Sequence, residues 1–143
     1  MNIEYKVNTP VSVKQFIKLL NESTLAKRRP VDNMVCIQGM LENSNLVVTA
    51  WNGEKLIGIS RCITDFHYAC YLSDLAVNKE FQGMGIGKKL QKITQQQLGP
   101  YCKIILIAAP SANSYYEKLG YTNNERCWLL ERDNSININY TCD

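Results

Sequence analysis

Little in this chain marks a metal protein, a membrane protein or a nucleic-acid binder. Its 143 residues hold a single histidine, His67. Its six cysteines (Cys36, Cys62, Cys70, Cys102, Cys127, Cys142) form no Cys-x-x-Cys pair and no zinc-type spacing. Several lie in apolar runs, as Cys102 does before Lys103-Ile104-Ile105-Leu106, and read as buried free thiols in a reducing cytosol. No metal is expected. No apolar run approaches the ~20 residues of a membrane span. Met1 to Lys6 alternates polar and apolar residues without a basic region followed by an apolar one, so no signal peptide is read. The sequons Asn21-Glu22-Ser23 and Asn139-Tyr140-Thr141 then mean nothing, and a cytoplasmic location away from membranes is expected. Charge of one sign is also scarce. The net charge is +3, and the densest basic cluster is the short Lys27-Arg28-Arg29, so no nucleic-acid partner is expected. Repeats and low-complexity segments are missing.

What is present suits one compact domain, drawn at residues 1–132 with a polar tail at 133–143. Apolar residues make up 45% and charged residues 20%, enough for a core and too little charge for disorder. Ile3, Tyr5 and Val7 alternate as a strand. Ser12 caps a helix to about Asn21 with Phe16, Leu19 and Leu20 on one face. Asp32 is the expected cap of a second helix carrying Met34, Ile37, Met40 and Leu41. Leu46–Trp51, Leu56–Thr64 and Tyr68–Val77 read as an antiparallel meander, with Asn52-Gly53 as its first turn. A glycine-rich turn then opens a helix to about Leu98, which Gly99-Pro100 stops. Lys103–Ala108 is a continuous apolar strand, and Ser111 begins a short helix ending at Gly120. Two further strands are expected near Tyr121–Arg126 and Trp128–Glu131. A strand, a helix and an apolar strand imply one parallel pair in a mostly antiparallel sheet. In the tail, Ile136, Ile138 and Tyr140 alternate, which suits an added edge strand, packing on a partner chain or disorder equally.

The run Asp74-Leu75-Ala76-Val77-Asn78-Lys79-Glu80-Phe81-Gln82-Gly83-Met84-Gly85-Ile86-Gly87-Lys88-Lys89-Leu90 carries the chemistry. A strand leads into glycines, and the glycines open a helix. Glycine lets backbone amides approach a ligand closely, and the helix start adds free N–H groups and the positive end of its dipole. Together they make a phosphate cradle. A Walker A loop would need glycine at Gln82 and Ser or Thr at Lys89. A dinucleotide fingerprint would need glycine at Lys88 or Leu90. Both fail.

The spacing Gln82-x-x-Gly85-x-Gly87 instead resembles the pyrophosphate loop of the GCN5-related N-acetyltransferases (GNAT). Leu75-Ala76-Val77 looks like that family's fourth strand, and Ser114-Tyr115-Tyr116-Glu117-Lys118-Leu119-Gly120-Tyr121 like its Tyr-x-x-x-Gly-aromatic segment. The element order fits from residue 2 to about 131. The resemblance implies an α/β (α+β) fold: a mixed, mostly antiparallel sheet of six to seven strands, about four helices, and fourth and fifth strands splayed apart. It implies an acetyl-coenzyme A cosubstrate. The pantetheine arm would pair with residues 69–77 through the backbones of Leu75, Ala76 and Val77. The Leu75 N–H would face the thioester carbonyl as an oxyanion donor. The amides of Gln82, Gly83, Met84, Gly85, Ile86, Gly87 and Lys88 would hold the pyrophosphate, with Lys88 and Lys89 adding charge or serving as ordinary surface lysines. Tyr116 is implied as the acid that protonates the leaving thiolate, or as packing for the coenzyme, with Tyr115 as core. Asn113 matches a position that bonds the pantetheine arm.

An alkylammonium must lose a proton before it attacks. By resemblance, Asp74 lies where relatives carry an acidic residue facing the acceptor. It takes that proton directly, takes it through water, binds the amine, or only bonds a turn. Asp65 is the second candidate base, with a turn cap as its bland reading; His67 reads as exposed and Cys70 as packing. The acceptor site is expected from the first two helices and their linker, the Asp65–Tyr68 turn and the late hairpin. Arg28, Arg29, Trp51, Phe66, Tyr68 and Trp128 are its possible lining. The aromatics suit an arylalkylamine, since the middle of the chain also resembles plant-type serotonin acetyltransferases. The arginines suit an acidic or phosphorylated amine. The expected activity is acetyl transfer to a primary amine of a small molecule within a ternary complex, by a homodimer. The alternatives are a protein or aminoacyl-tRNA acetyltransferase and a non-catalytic acyl-coenzyme A sensor.

Overall fold

A computed structural model of the chain describes residues 2–139. They fall into two compact units that divide between Ile107 and Ala108. The first holds β1 (Ile3–Val7), α1 (Val13–Glu22), α2 (Met34–Glu42), β2 (Leu46–Asn52), β3 (Lys55–Thr64), β4 (Ala69–Val77), α3 (Ile86–Gln96) and β5 (Lys103–Ile105). The strands lie in the order β1-β2-β3-β4-β5. Every neighbouring pair is antiparallel except β4–β5, which is parallel.

Local chemistry sets the ends of these elements. The Ser12 hydroxyl accepts from the Gln15 N–H and the Gln15 amide oxygen accepts from the Ser12 N–H, each at 3.0 Å, so a reciprocal cap starts α1. Asn33, rather than Asp32, caps α2 by accepting from the Cys36 N–H at 3.0 Å. Gly53 takes φ +62° at the β2–β3 turn, which a side chain would resist.

Two apolar layers sandwich the sheet. Phe16, Leu19 and Leu20 of α1 and Ile37 of α2 pack with Val47, Trp51, Leu56, Ile59 and Ala76 on one side. Ile86 and Leu90 of α3 pack with Val48, Ala50, Ile57, Cys62, Cys70 and Leu72 on the other. Gly58 lets α3 close on the sheet, because a Cβ there would lie 3.1 Å from Ile86 Cγ2 and 3.1 Å from Leu90 Cδ1.

The second unit holds a 3-10 turn, Pro110–Ala112, and α4, Asn113–Lys118. Gly120 ends this helix at φ +100°, and the Tyr121 N–H returns to the Tyr116 carbonyl at 3.1 Å. Among the described residues the four α-helices match expectation, although α3 stops at Gln96 and β5 at Ile105. The sheet does not: among the described residues it has five strands, not six to seven. Residues 121–131 are irregular and Trp128 is 89% exposed. Asn124 explains part of this. Its side chain accepts from the Arg126 N–H (2.8 Å) and its carbonyl from the Cys127 N–H (3.2 Å), a local turn that competes with ladder pairing. Residues 133–139 form no strand, and Ile136 and Ile138 are exposed. Tyr140, Thr141 and Cys142 lie outside the described residues. Among the described residues no helix is long and apolar enough to cross a membrane.

Candidate active site on the open edge of the fourth strand

The β4 strand pairs with β3 along its length but with β5 only at Ala69, Cys70 and Tyr71. Among the described residues no strand pairs with that edge of β4 beyond Tyr71, so it is open there. Backbone alternation fixes which groups face the opening. The Asn78 N–H donates to the Ile57 carbonyl on β3 at 2.8 Å. Stepping back by twos, the backbones of Ala76 and Asp74 face β3, while those of Val77 and Leu75 face the open side. Ala76, expected to share in coenzyme binding, thus spends its backbone on the sheet and its buried side chain on the α1/α2 core.

Ser73 is an extra residue in β4. Arg61 pairs with Asp74 and Cys62 with Leu72, so Ser73 bulges between them. The bulge puts Leu72 and Leu75, three apart, on the α3 side of the sheet. It also turns both Ser73 and Asp74 toward Arg61. The Arg61 guanidinium donates to the Asp74 carboxylate, to Ser73 Oγ (2.8 Å), to Ser44 Oγ (2.8 Å) and to the Met40 carbonyl (3.3 Å). Arg29, from the α1–α2 linker, donates to the other Asp74 oxygen, to the Ser73 carbonyl (2.8 Å) and to the Arg28 carbonyl (2.9 Å). Asp74 is wholly buried and Arg61 is 4% exposed, while the Arg29 side chain keeps 21% of its exposure. Sequence reasoning passed over Arg61, although a signal was there: it is the one charge inside the apolar run Leu56–Thr64, and a charge in such a strand needs a buried partner.

The glycine turn lies just past the end of β4. Asn78 caps the 3-10 turn Lys79–Phe81 by accepting from the Glu80 N–H at 2.8 Å. The loop is strung between two buried anchors, Phe81 and Ile86, with Gln82, Gly83, Met84 and Gly85 exposed. Gly83 and Gly85 adopt φ +80° and +81°, the left-handed region, and a Cβ on either would point into open space. The first bond of α3 is donated by Lys89 to the Gly85 carbonyl at 3.0 Å. The amides of Ile86, Gly87 and Lys88 precede it and have no acceptor within the helix. Gln82 folds back to donate its side-chain amide to the Val77 carbonyl at 3.1 Å.

A family model for the acetyltransferase (GNAT) domain matches residues 9–132. The chain belongs to the GNAT family. A curated relative, the uncharacterized N-acetyltransferase ycf52-like of Prochlorococcus marinus, is 30% identical over 74% of this chain and 61% of its own length. The chain spans between 50% and 61% of the length of the first curated relatives it matches. Among solved structures, a probable acetyltransferase of Staphylococcus aureus superposes with TM-score 0.72 at 21% identity, covering 91% of this chain and 99% of that one. AAC(6')-Iy, solved with the bisubstrate analogue CoA-S-monomethyl-acetylneamine, gives 0.69 at 15% identity over 92% and 99%. At these identities the two structures show a common GNAT fold.

The remaining site candidates of this GNAT chain fall as follows. Asp65 is a turn cap: its Oδ1 accepts from the N–H groups of His67 (3.0 Å), Tyr68 (2.8 Å) and Ala69 (3.1 Å). The bonds from Tyr68, Ala69 and His67, in that order, hold its carboxyl below the ordinary aspartate range. His67 is exposed. Cys70 is fully buried in the α3-side core. The Cys62 thiol is pushed up, first by its hydrogen bond to Cys70 and then by burial. Of the expected acceptor lining, Trp51 is core: it is 6% exposed and donates to Thr49 Oγ1 at 2.7 Å. Arg28 is exposed, as is Tyr68, whose ring lies 4.8 Å from Lys103 Nζ. In the second unit, Asn113 is exposed at the start of α4. Tyr116 stacks edge-on with Tyr115 (5.1 Å between centroids) and Tyr121 (5.4 Å). Burial, and secondarily Tyr115, raises the Tyr116 hydroxyl above its ordinary value, so it holds its proton at neutral pH.

Proposed function

We propose that this GNAT domain is an N-acetyltransferase that moves the acetyl group of acetyl-coenzyme A onto a primary amine of a small molecule in a ternary complex. One observation carries the reading. Two left-handed glycines and the free first turn of α3 lie at the end of a strand whose edge is open at Leu75 and Val77. That arrangement fits a ligand with a diphosphate at one end and an extended amide-bearing arm. The complex of AAC(6')-Iy with a coenzyme A-based analogue supports it.

The amides from Gly83 to Lys88 would hold the diphosphate, with Lys88 and Lys89 exposed beside them. The backbones of Leu75 and Val77 would pair with the arm, after the Gln82 side chain leaves the Val77 carbonyl. The coenzyme supplies an activated acetyl thioester. The Leu75 N–H donates to charge that builds on the thioester carbonyl, a type of contact worth about 3 kcal/mol. The family resemblance is what supports Tyr116 as the proton donor to the departing sulfur, a modest aid because a thiol near pKa ~8.5 already leaves readily. We assign Asp74 an anchoring role. A general base must reach the amine, and the Asp74 carboxylate is fully buried and held by a guanidinium group on each oxygen.

Calorimetric titration with acetyl-coenzyme A, followed by a thiol-release screen of amines, tests the reading. Micromolar binding is expected, weakened about tenfold or more by Gly85→Ala, which forces a side chain into the left-handed region beside the phosphates. Neither heat nor a thermal shift at millimolar ligand would end the proposal.

A further inference from the structure

We infer that the acceptor amine carries an anionic group, a carboxylate or a phosphate, received by Arg29 and Arg28. This inference rests on the acetyltransferase reading and names the substrate class for the same edge. The cations come from the α1–α2 linker. Arg29 lies across the open edge of β4, bonded to the Ser73 carbonyl, two residues along the strand from Leu75. Its guanidinium is fixed by the Asp74 carboxylate and the Arg28 carbonyl, yet the Arg29 side chain is not wholly buried. Its fork is therefore held in place, and two of its five N–H donors are not taken up by these three bonds.

The charge count points the same way. One carboxylate, Asp74, sits between two guanidinium groups, leaving one positive charge unmatched. Lys27 and Arg28, both exposed, precede Arg29 in the linker. Against these four cations, the linker and the strand it touches offer only Asp32 and Asp74. Glu22, at the end of α1, already pairs with Lys55 at 3.2 Å. A simple ammonium approaching this edge meets a surplus of its own sign. A zwitterion presents its anion to the arginines and brings its nitrogen in with its charge balanced.

Matched amines test this by thiol release: an α-amino acid against its carboxamide, and phosphoethanolamine against ethanolamine. The anionic member of at least one pair is expected to show roughly tenfold higher kcat/KM, mostly through KM. The pair that responds distinguishes carboxylate from phosphate. Arg28→Gln, at an exposed position, should narrow the preference several-fold while leaving the KM for acetyl-coenzyme A unchanged. Arg29→Lys keeps the charge, loses the fork, and should narrow it further. Equal turnover of charged and neutral partners would overturn the inference while leaving the acetyltransferase reading intact. Coenzyme binding without turnover of any amine would overturn both, and absent coenzyme binding would identify the fault as the glycine loop.

Discussion

Gly58 links the packing of the sheet to the proposed coenzyme site. Its absent side chain lets α3 seat, and α3 begins at the residue after Gly85. A Cβ at position 58 would lie 3.1 Å from Ile86 Cγ2, 3.1 Å from Leu90 Cδ1 and 3.3 Å from Ala50 Cβ. Carbon pairs prefer about 3.5–4.0 Å, so each neighbour must retreat by a few tenths of an ångström. Leu90 is fully buried and cannot swing outward, so the strain falls on the helix. Overpacking by one methyl costs about 1–2 kcal/mol. The reduced freedom of the unfolded chain returns about 0.4–1 kcal/mol of that. Gly58→Ala should therefore lose about 1 kcal/mol, a fall in Tm of about 2–5 °C. Gly58→Val, with two more methyls in the same space, should lose about 3 kcal/mol. Moving the start of α3 should also weaken acetyl-coenzyme A about three- to tenfold in the Ala variant, since amide donors act over tenths of an ångström. Urea denaturation and calorimetry read the two effects on one sample. A Val variant as stable as the parent would refute the packing argument. Destabilised variants with unaltered coenzyme affinity would refute the link between α3 and the loop.

Asp74→Asn should cost about 3 kcal/mol in urea denaturation, because it leaves two guanidinium groups in the buried site with a neutral partner. A thousandfold loss of kcat at unchanged stability would instead give Asp74 back the role of base. Tyr116→Phe should lower kcat about 10- to 100-fold while changing coenzyme affinity by less than about twofold. Because burial raises the Tyr116 hydroxyl, its proton is present at neutral pH and is lost only above the ordinary tyrosine value of about 10. The parent enzyme should show that alkaline decline in kcat and the Phe variant should lack it. Asp65→Ala removes the carboxylate that accepts from three backbone N–H groups in the β3–β4 turn. Its folded carboxyl lies below the unfolded value, so its contribution is complete above about pH 4 and fades as pH falls through the folded value. The stability gap between parent and variant should thus be open at pH 7 and close in acid.

Features set by neighbours in the chain were legible in advance. Ser12 and Gln15 are three residues apart, and their reciprocal cap follows from that spacing alone. Asn52-Gly53 and the loop glycines announce positive φ, because other residues resist it. The open side of β4 was inferred from a family resemblance, and the backbone alternation around Leu75 and Val77 agrees with it. The guanidinium–carboxylate cluster was not legible. It joins Asp74 to partners 13 and 45 residues away, and its geometry depends on one extra residue, Ser73, whose serine gives no sign of a bulge. The late strands misled for the opposite reason. Cys127-Trp128-Leu129-Leu130 has strand-like residues, but propensity cannot show whether a neighbouring strand is available.

An unpaired sheet edge invites other chains to add to it. Here the vacancy is brief. The β5 strand covers Ala69 to Tyr71, the Arg29 guanidinium takes the Ser73 carbonyl, and the Gln82 amide takes the Val77 carbonyl. Among the described residues a few main-chain groups around Leu75 are left, too short a stretch for a stray strand to zip onto but long enough for a slender ligand with two amides. The same polar stoppers that border the slot would thus guard the protein against polymerising through it.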